Sequence, residues 1–325
     1  MTHLTNRLPY MEQVSTTRRM VFVDNLRGVL ILLVVMGHSI QYMCDDYESN
    51  LLFRAIYSFH MPLFMMVSGF VSYRKTYDKT WLFRRAKQLL VPFIVGTFLM
   101  AVTQKDGSFF DYFLYPLKGL WFLWVLFSLS LGQYICNKLG GAKIVIVVFV
   151  IISALSFKFK GILCLDLIAY HFIFYATGYI MRKNWASLLK MKKSIIIIIG
   201  MLLSLVFIFT FDRNVPSYFP IRNIPLYVRI VPCFISFSVF MSAANMIDIS
   251  NKLLLQMGTN TLGIYLLHRV LLEYVRLLDI QIPYMNNAIF YTVVLAVFVI
   301  LSFISLKVSL FLTRNKVTAL LFCGK

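Results

Sequence analysis

Arg27 and His38 stand 11 residues apart in the stretch that opens Val23-Asp24-Asn25-Leu26-Arg27-Gly28 and closes Met36-Gly37-His38-Ser39. On an α-helix that spacing ends about 20° past three full turns, with a rise of roughly 16 Å, so both side chains share one face. A permanent cation at one end of the face and a titratable imidazole deeper along it could serve a proton transfer, because neutral imidazole accepts a proton. Asp24, one turn before Arg27, is placed to hold the guanidinium, and Ser39 directly follows the histidine. Each residue has a plainer use, Arg27 reaching to lipid headgroups and His38 bonding a neighbouring helix. Their shared register favours chemistry.

Other polar groups interrupt apolar runs. Tyr57-Ser58-Phe59-His60-Met61-Pro62-Leu63-Phe64 precedes Val67-Ser68-Gly69-Phe70, and Pro62 must bend its helix and release a carbonyl, turning Ser58 and His60 inward. Arg84, Arg85 and Lys87 cluster where a third run begins and are suited to a polyanionic ligand, although plain topology control also explains them. Asp166 and His171 fall in a later run, and Gly258-Thr259-Asn260-Thr261-Leu262-Gly263-Ile264-Tyr265-Leu266-Leu267-His268-Arg269 in another. Arg269 and Glu273 share a face and can neutralise each other. His38, His60, His171 and His268 all fall near the middle of their runs, yet their spacing is not that of metal ligands, so no metal is expected.

The elements that must position these groups follow from composition. Of 325 residues, 60% are apolar and 14% charged, with mean hydropathy +0.78 along the chain. Ordinary soluble domains are roughly 45–50% apolar and about 25% charged, so a soluble globule is excluded. The expected fold is all-α, a polytopic membrane protein of ten transmembrane helices near 24–43, 51–73, 87–103, 118–136, 143–157, 161–181, 194–211, 224–247, 257–277 and 288–312. A barrel is disfavoured because the runs are continuous and do not alternate. The division reads as an N-terminal segment 1–20, a transmembrane domain 21–312 and a tail 313–325. The first 20 residues lack the apolar core of a signal peptide.

A net charge of +19 in a soluble protein would point to nucleic acid; here the cations sit between spans, and no nucleic-acid partner is expected. With ten spans, 20 Lys and Arg fall on the side of the termini, six on the other side and six within spans. The termini are therefore expected in the cytoplasm, in a bacterial inner membrane. The five cysteines show no paired spacing and read as small core residues.

The D-N-L-R-G opening at 24–28, the Arg27-to-His38 spacing, F-H-M-P-L-F at 59–64, S-G-F at 68–70, L-L-V-P-F at 89–93 and the late I-Y-L-L-H at 264–268 together resemble the acyltransferase 3 family, most closely its membrane-bound sugar O-acetyltransferases, such as fucose 4-O-acetylase-like proteins. The resemblance implies transfer of an acetyl or other acyl group from cytoplasmic acyl-CoA to a hydroxyl of a glycan or lipid-linked sugar. It assigns the catalytic role to His38 and its partner role to Arg27. With Arg84, Arg85 and Lys87, Arg27 would bind the acetyl-CoA phosphates. Family members usually place an arginine immediately before L-L-x-P, where this chain has Gln88. Asp24, Ser39, His60, Ser68, Tyr265 and His268 are the expected acceptor-side contacts. The rival readings are a transporter or flippase for a lipid-linked glycan, favoured by intramembrane cations but not by any internal repeat, and an assembly subunit without catalysis.

Overall fold

The computed structural model of the protein describes residues 20–44, 46–103, 108–139, 161–210, 227–245, 251–276 and 288–325, with scattered helical positions between 144 and 159. Among the described residues there is helix and no strand. The long helices are α1 (Val21–Met43), α2 (Leu51–Ser72), α3 (Lys79–Thr103), α5 (Trp121–Leu139), α6 (Leu165–Lys183), α8 (Lys193–Thr210), α9 (Tyr227–Asn245), α11 (Thr261–Arg276) and α12 (Ala288–Leu312). Shorter ones are α4 (Phe109–Leu114), α7 (Trp185–Leu189), α10 (Lys252–Thr259) and α13 (Lys316–Cys323).

Local signals set their limits. Asn50 accepts the Phe53 N–H at 3.0 Å to start α2, and Asn251 accepts those of Leu253 and Leu254 at 3.0 Å to start α10. Asp78 accepts the Trp81 N–H at 2.8 Å and the Thr80 hydroxyl ahead of α3. Those two donors hold the Asp78 carboxyl below its usual range. Gly324, with φ of +63°, closes α13 in the left-handed conformation that glycine adopts without strain.

Among the described residues, five helical segments are long and apolar enough to cross a bilayer: Val21–Met43, Leu51–Ser72, Lys79–Thr103, Ile162–Lys183 and Ala288–Leu312. Their outward faces carry exposed large apolar residues, Phe83, Ile94, Phe98 and Val102 on α3 and Leu295, Val299, Phe303 and Phe311 on α12. Such faces suit lipid and not water. Membrane helices gain no hydrophobic drive to associate, so close backbone approach must hold them together. Two reciprocal glycine contacts supply it. A Cβ on Gly178 of α6 would lie 1.8 Å from the Met66 carbonyl oxygen of α2, and one on Gly69 of α2 would lie 2.0 Å from that of Tyr175. Between α1 and α10, Gly28 faces the Leu254 carbonyl and Gly258 faces that of Asp24 in the same way. Gly28 is therefore packed against α10.

Three expectations change. The third helix begins eight residues before the expected position 87, which places Arg84, Arg85 and Lys87 inside its first turns. The late run is not one helix: it breaks at Asn260, whose side-chain amide donates to the Gln256 carbonyl at 2.8 Å, while Thr261 donates its hydroxyl to Gly258. The tail 313–325 folds into α13, which packs on α3. The expected span 143–157 lies mostly outside the described residues, as do residues 1–19. All five cysteines are free, and Cys44, Cys136, Cys164 and Cys323 are buried.

Candidate active site

A cavity of about 630 Å³ opens between α1, α2, α3, α5 and the α10–α11 break, within the usual range of roughly 300–1,000 Å³ for ligand pockets. Its mouth is basic: Arg27, Arg74, Arg84, Arg85 and Lys325 line it, with Asp78 as the acidic residue among them. Asp24 lies 3.8 Å from Arg27, and Lys325 donates its ammonium to the Asn260 side-chain oxygen at 2.8 Å. Several cations around one opening focus a positive field suited to phosphates. The walls become apolar further in, through Leu126, Phe122 and Phe64, and the lining ends at Val34, Met61 and Tyr265.

Val34 is one turn below His38 on the same face of α1, about 6 Å along the axis. The Tyr265 ring lies 5.8 Å from the His268 ring, so the cavity's inner end abuts a histidine pair. His38 Nδ1 and His268 Nε2 are 2.9 Å apart, and the rings stack at 5.2 Å with 15° between planes. His268 Nδ1 is 2.8 Å from the Ile264 carbonyl oxygen. A carbonyl only accepts, so His268 Nδ1 carries its proton and, in the neutral ring, Nε2 accepts. His38 Nδ1 must then donate, which leaves the lone pair of a neutral His38 on Nε2. Backbone and second histidine thus fix the tautomer of the first, as a carboxylate does in a catalytic triad.

The other expected residues divide. Arg27, Arg84, Arg85, Ser68 and Tyr265 line the cavity, though Ser68 spends its hydroxyl proton on the Phe64 carbonyl at 2.8 Å. Lys87 does not; its ammonium lies 4.7 Å from the centre of the Phe83 ring. Ser39 is fully buried and donates to the Val35 carbonyl at 2.8 Å, and His60 bonds the Ile56 carbonyl at 2.8 Å while packing on Tyr57. Gln88, which replaces the usual family arginine, does line the mouth. Arg74 and Lys325 escaped sequence reasoning because they come from a loop and from the tail, and only folding brings them to the same opening. Arg74 is placed by a polar knot: its N–H donates to the Tyr77 hydroxyl at 3.0 Å, and that hydroxyl donates to the Ser72 carbonyl at 3.1 Å. Burial pushes the Tyr77 phenol's pKa upward. Among the described residues no three His, Cys, Asp or Glu side chains gather as metal ligands.

Long apolar helices gathered around a basic cavity are those of a membrane-embedded protein. The acyltransferase 3 family, described as an acyltransferase domain, matches residues 20–307, and the chain belongs to it. Among curated proteins it is similar to the nodulation protein NolL of Sinorhizobium fredii (strain NBRC 101917 / NGR234), 34% identical over 146 residues, which is 39% of this chain and 38% of that protein. It is likewise similar to the nodulation protein NolL of Mesorhizobium japonicum (strain LMG 29417 / CECT 9101 / MAFF 303099), 33% identical over 136 residues and 35% of each chain. The matched part spans less than two-fifths of these relatives. No solved structure matches the chain.

Proposed function

We propose that the protein is an O-acetyltransferase that moves an acetyl group from acyl-CoA to a hydroxyl of a glycan or lipid-linked sugar. It would be built on ten spans in a bacterial cytoplasmic membrane, with both termini and the basic mouth facing the cytoplasm. The observation that carries this reading is a cavity lined by basic and apolar residues that reaches Val34 and Tyr265, next to a histidine pair of fixed tautomer. The mouth would take the phosphates of the coenzyme and the throat its pantetheine arm. The roughly 16 Å rise from Arg27 to His38 suits the length of that arm.

A thioester is already activated, so the protein's task is alignment, water exclusion and one proton transfer. The acceptor oxygen attacks the thioester carbonyl carbon as its proton passes to His38 Nε2. The C–S bond then breaks, and the CoA sulfur leaves with the electron pair and takes that proton back from His38. His268 stabilises the transient imidazolium by accepting the hydrogen bond from His38 Nδ1.

The test is thiol release from acetyl-CoA by the purified protein, coupled to acetyl gain by a glycan extract measured by mass spectrometry. Transfer by the native protein and its loss in His38→Ala are the expected results. Glycan movement across vesicles without thiol release would instead identify a transporter.

A further inference from the structure

The polar stripe does not end at the histidine pair. Tyr42 follows His38 by four residues on α1, and Arg269 and Glu273 follow Tyr265 by four and eight on α11. Four residues turn a helix about 40° past one full turn, so each set continues its own face. The two faces meet again one turn past the histidines. Arg269 Nη1 donates to the Tyr42 hydroxyl at 2.9 Å, and Tyr42 donates to Glu273 Oε1 at 2.7 Å. Arg269 Nη2 lies 3.9 Å from that same oxygen. The side chains of Arg269 and Glu273 are 11% and 4% exposed.

A charge pair buried this far costs several kcal/mol of desolvation, and a clamp between two helices could be made of apolar residues. One donor is also left over: Arg269 Nε is buried and has no hydrogen-bond partner. His38 points the same way, for it remains half-buried although it does not line the basic cavity. Its accessible surface therefore lies elsewhere than on the donor side.

Resting on the acetyltransferase reading, we propose that Tyr42, Arg269 and Glu273 form the acceptor subsite, on the far side of the histidine pair from the basic cavity. The ligand class is a polyhydroxylated one. The Arg269 guanidinium donates to a sugar oxygen, and the Glu273 carboxylate accepts from a neighbouring hydroxyl. Tyr42 positions both. The hydroxyl to be acetylated is then presented to His38 Nε2, while the thioester arrives from the opposite end.

The test uses detergent-purified full-length protein, acetyl-CoA and, as acceptor probe, the lipid-linked glycan fraction extracted from a strain lacking this protein. Native protein, Glu273→Gln, Arg269→Lys and Tyr42→Phe are compared for apparent KM toward the glycan fraction and for CoA affinity. The expected result is at least a tenfold rise in the acceptor KM for Glu273→Gln and Arg269→Lys and a smaller rise for Tyr42→Phe, with CoA affinity within twofold of native. An unchanged acceptor KM, or CoA affinity falling in step with transfer, would overturn the subsite. Should a charge variant fail to fold, Tyr42→Phe decides by the same two measurements, because it removes only one hydroxyl. Failure of the native protein to acetylate the fraction would instead sink the acetyltransferase reading itself.

Discussion

His38 Nδ1 and His268 Nε2 face each other at 2.9 Å across 230 residues of sequence, joining α1 to α11 at the inner end of the cavity. Because the Ile264 carbonyl holds the far nitrogen of His268, the pair has a direction: backbone holds one end, and in the proposed reaction the other end, His38 Nε2, meets the substrate. His268→Ala would remove the acceptor that fixes the His38 tautomer while keeping the base. We expect kcat to fall about 10- to 100-fold with little change in the KM for acetyl-CoA, against roughly two to four orders of magnitude for His38→Ala. Steady-state kinetics on both variants check this; equal and complete losses would make His268 part of the base and not its orienter.

The basic mouth should act on coenzyme affinity. Replacing Arg84 and Arg85 together by Gln should raise the KM for acetyl-CoA at least tenfold and that for acetyl-pantetheine, which lacks the nucleotide phosphates, much less. Arg74→Gln should behave in the same direction. Lys87→Gln should not, because its ammonium sits over Phe83 outside the lining. A Lys87 effect as large as that of Arg84 would mean that bulk charge and not contact governs the mouth.

That Arg27 and His38 lie on one helix was legible in the sequence, because a continuous apolar run joins them. Pairings between helices were not legible. Arg269 and Glu273 read as a local pair at four-residue spacing, while the Tyr42 hydroxyl between them comes from α1. Lys87 illustrates the converse, since neighbours in sequence on a helix point some 100° apart and a cluster of three need not share a target. The break at Asn260 was hidden because its cause is a set of side-chain bonds to backbone carbonyls within an otherwise apolar run.

Packing makes its own prediction. A methyl group at Gly178 would collide with the Met66 carbonyl at 1.8 Å, and backbone on both sides leaves nothing flexible to yield. Gly178→Ala should therefore separate α2 from α6 and cost about 1–3 kcal/mol or more. Gly132→Ala, with nothing within 4 Å of the added carbon, is the control and should be neutral or gain up to about 1 kcal/mol in helix propensity. Thermal unfolding in one detergent measures both, and equal midpoints for the two variants would contradict the contact.

Sidedness can be read from where cysteines become reachable. Gly28 is unsuited as a probe because a side chain there meets the Leu254 carbonyl at 2.3 Å, and Ser39 is fully buried. Gln88 is exposed at the cavity mouth, and Glu48 is exposed in the turn between α1 and α2, at the other end of α1 from Arg27. On a background freed of native cysteines, Cys323 above all because it lines the cavity, Gln88→Cys should react with a membrane-impermeant thiol reagent only from the cytoplasm. CoA should protect it. Glu48→Cys should react only from the opposite side, indifferent to CoA, because α1 carries the chain across between them. Labelling of both from one side would mean that α1 does not span. The proposed route, with coenzyme entering at one face and glycan meeting His38 from the other, would then have to give way to entry of both substrates from the same side.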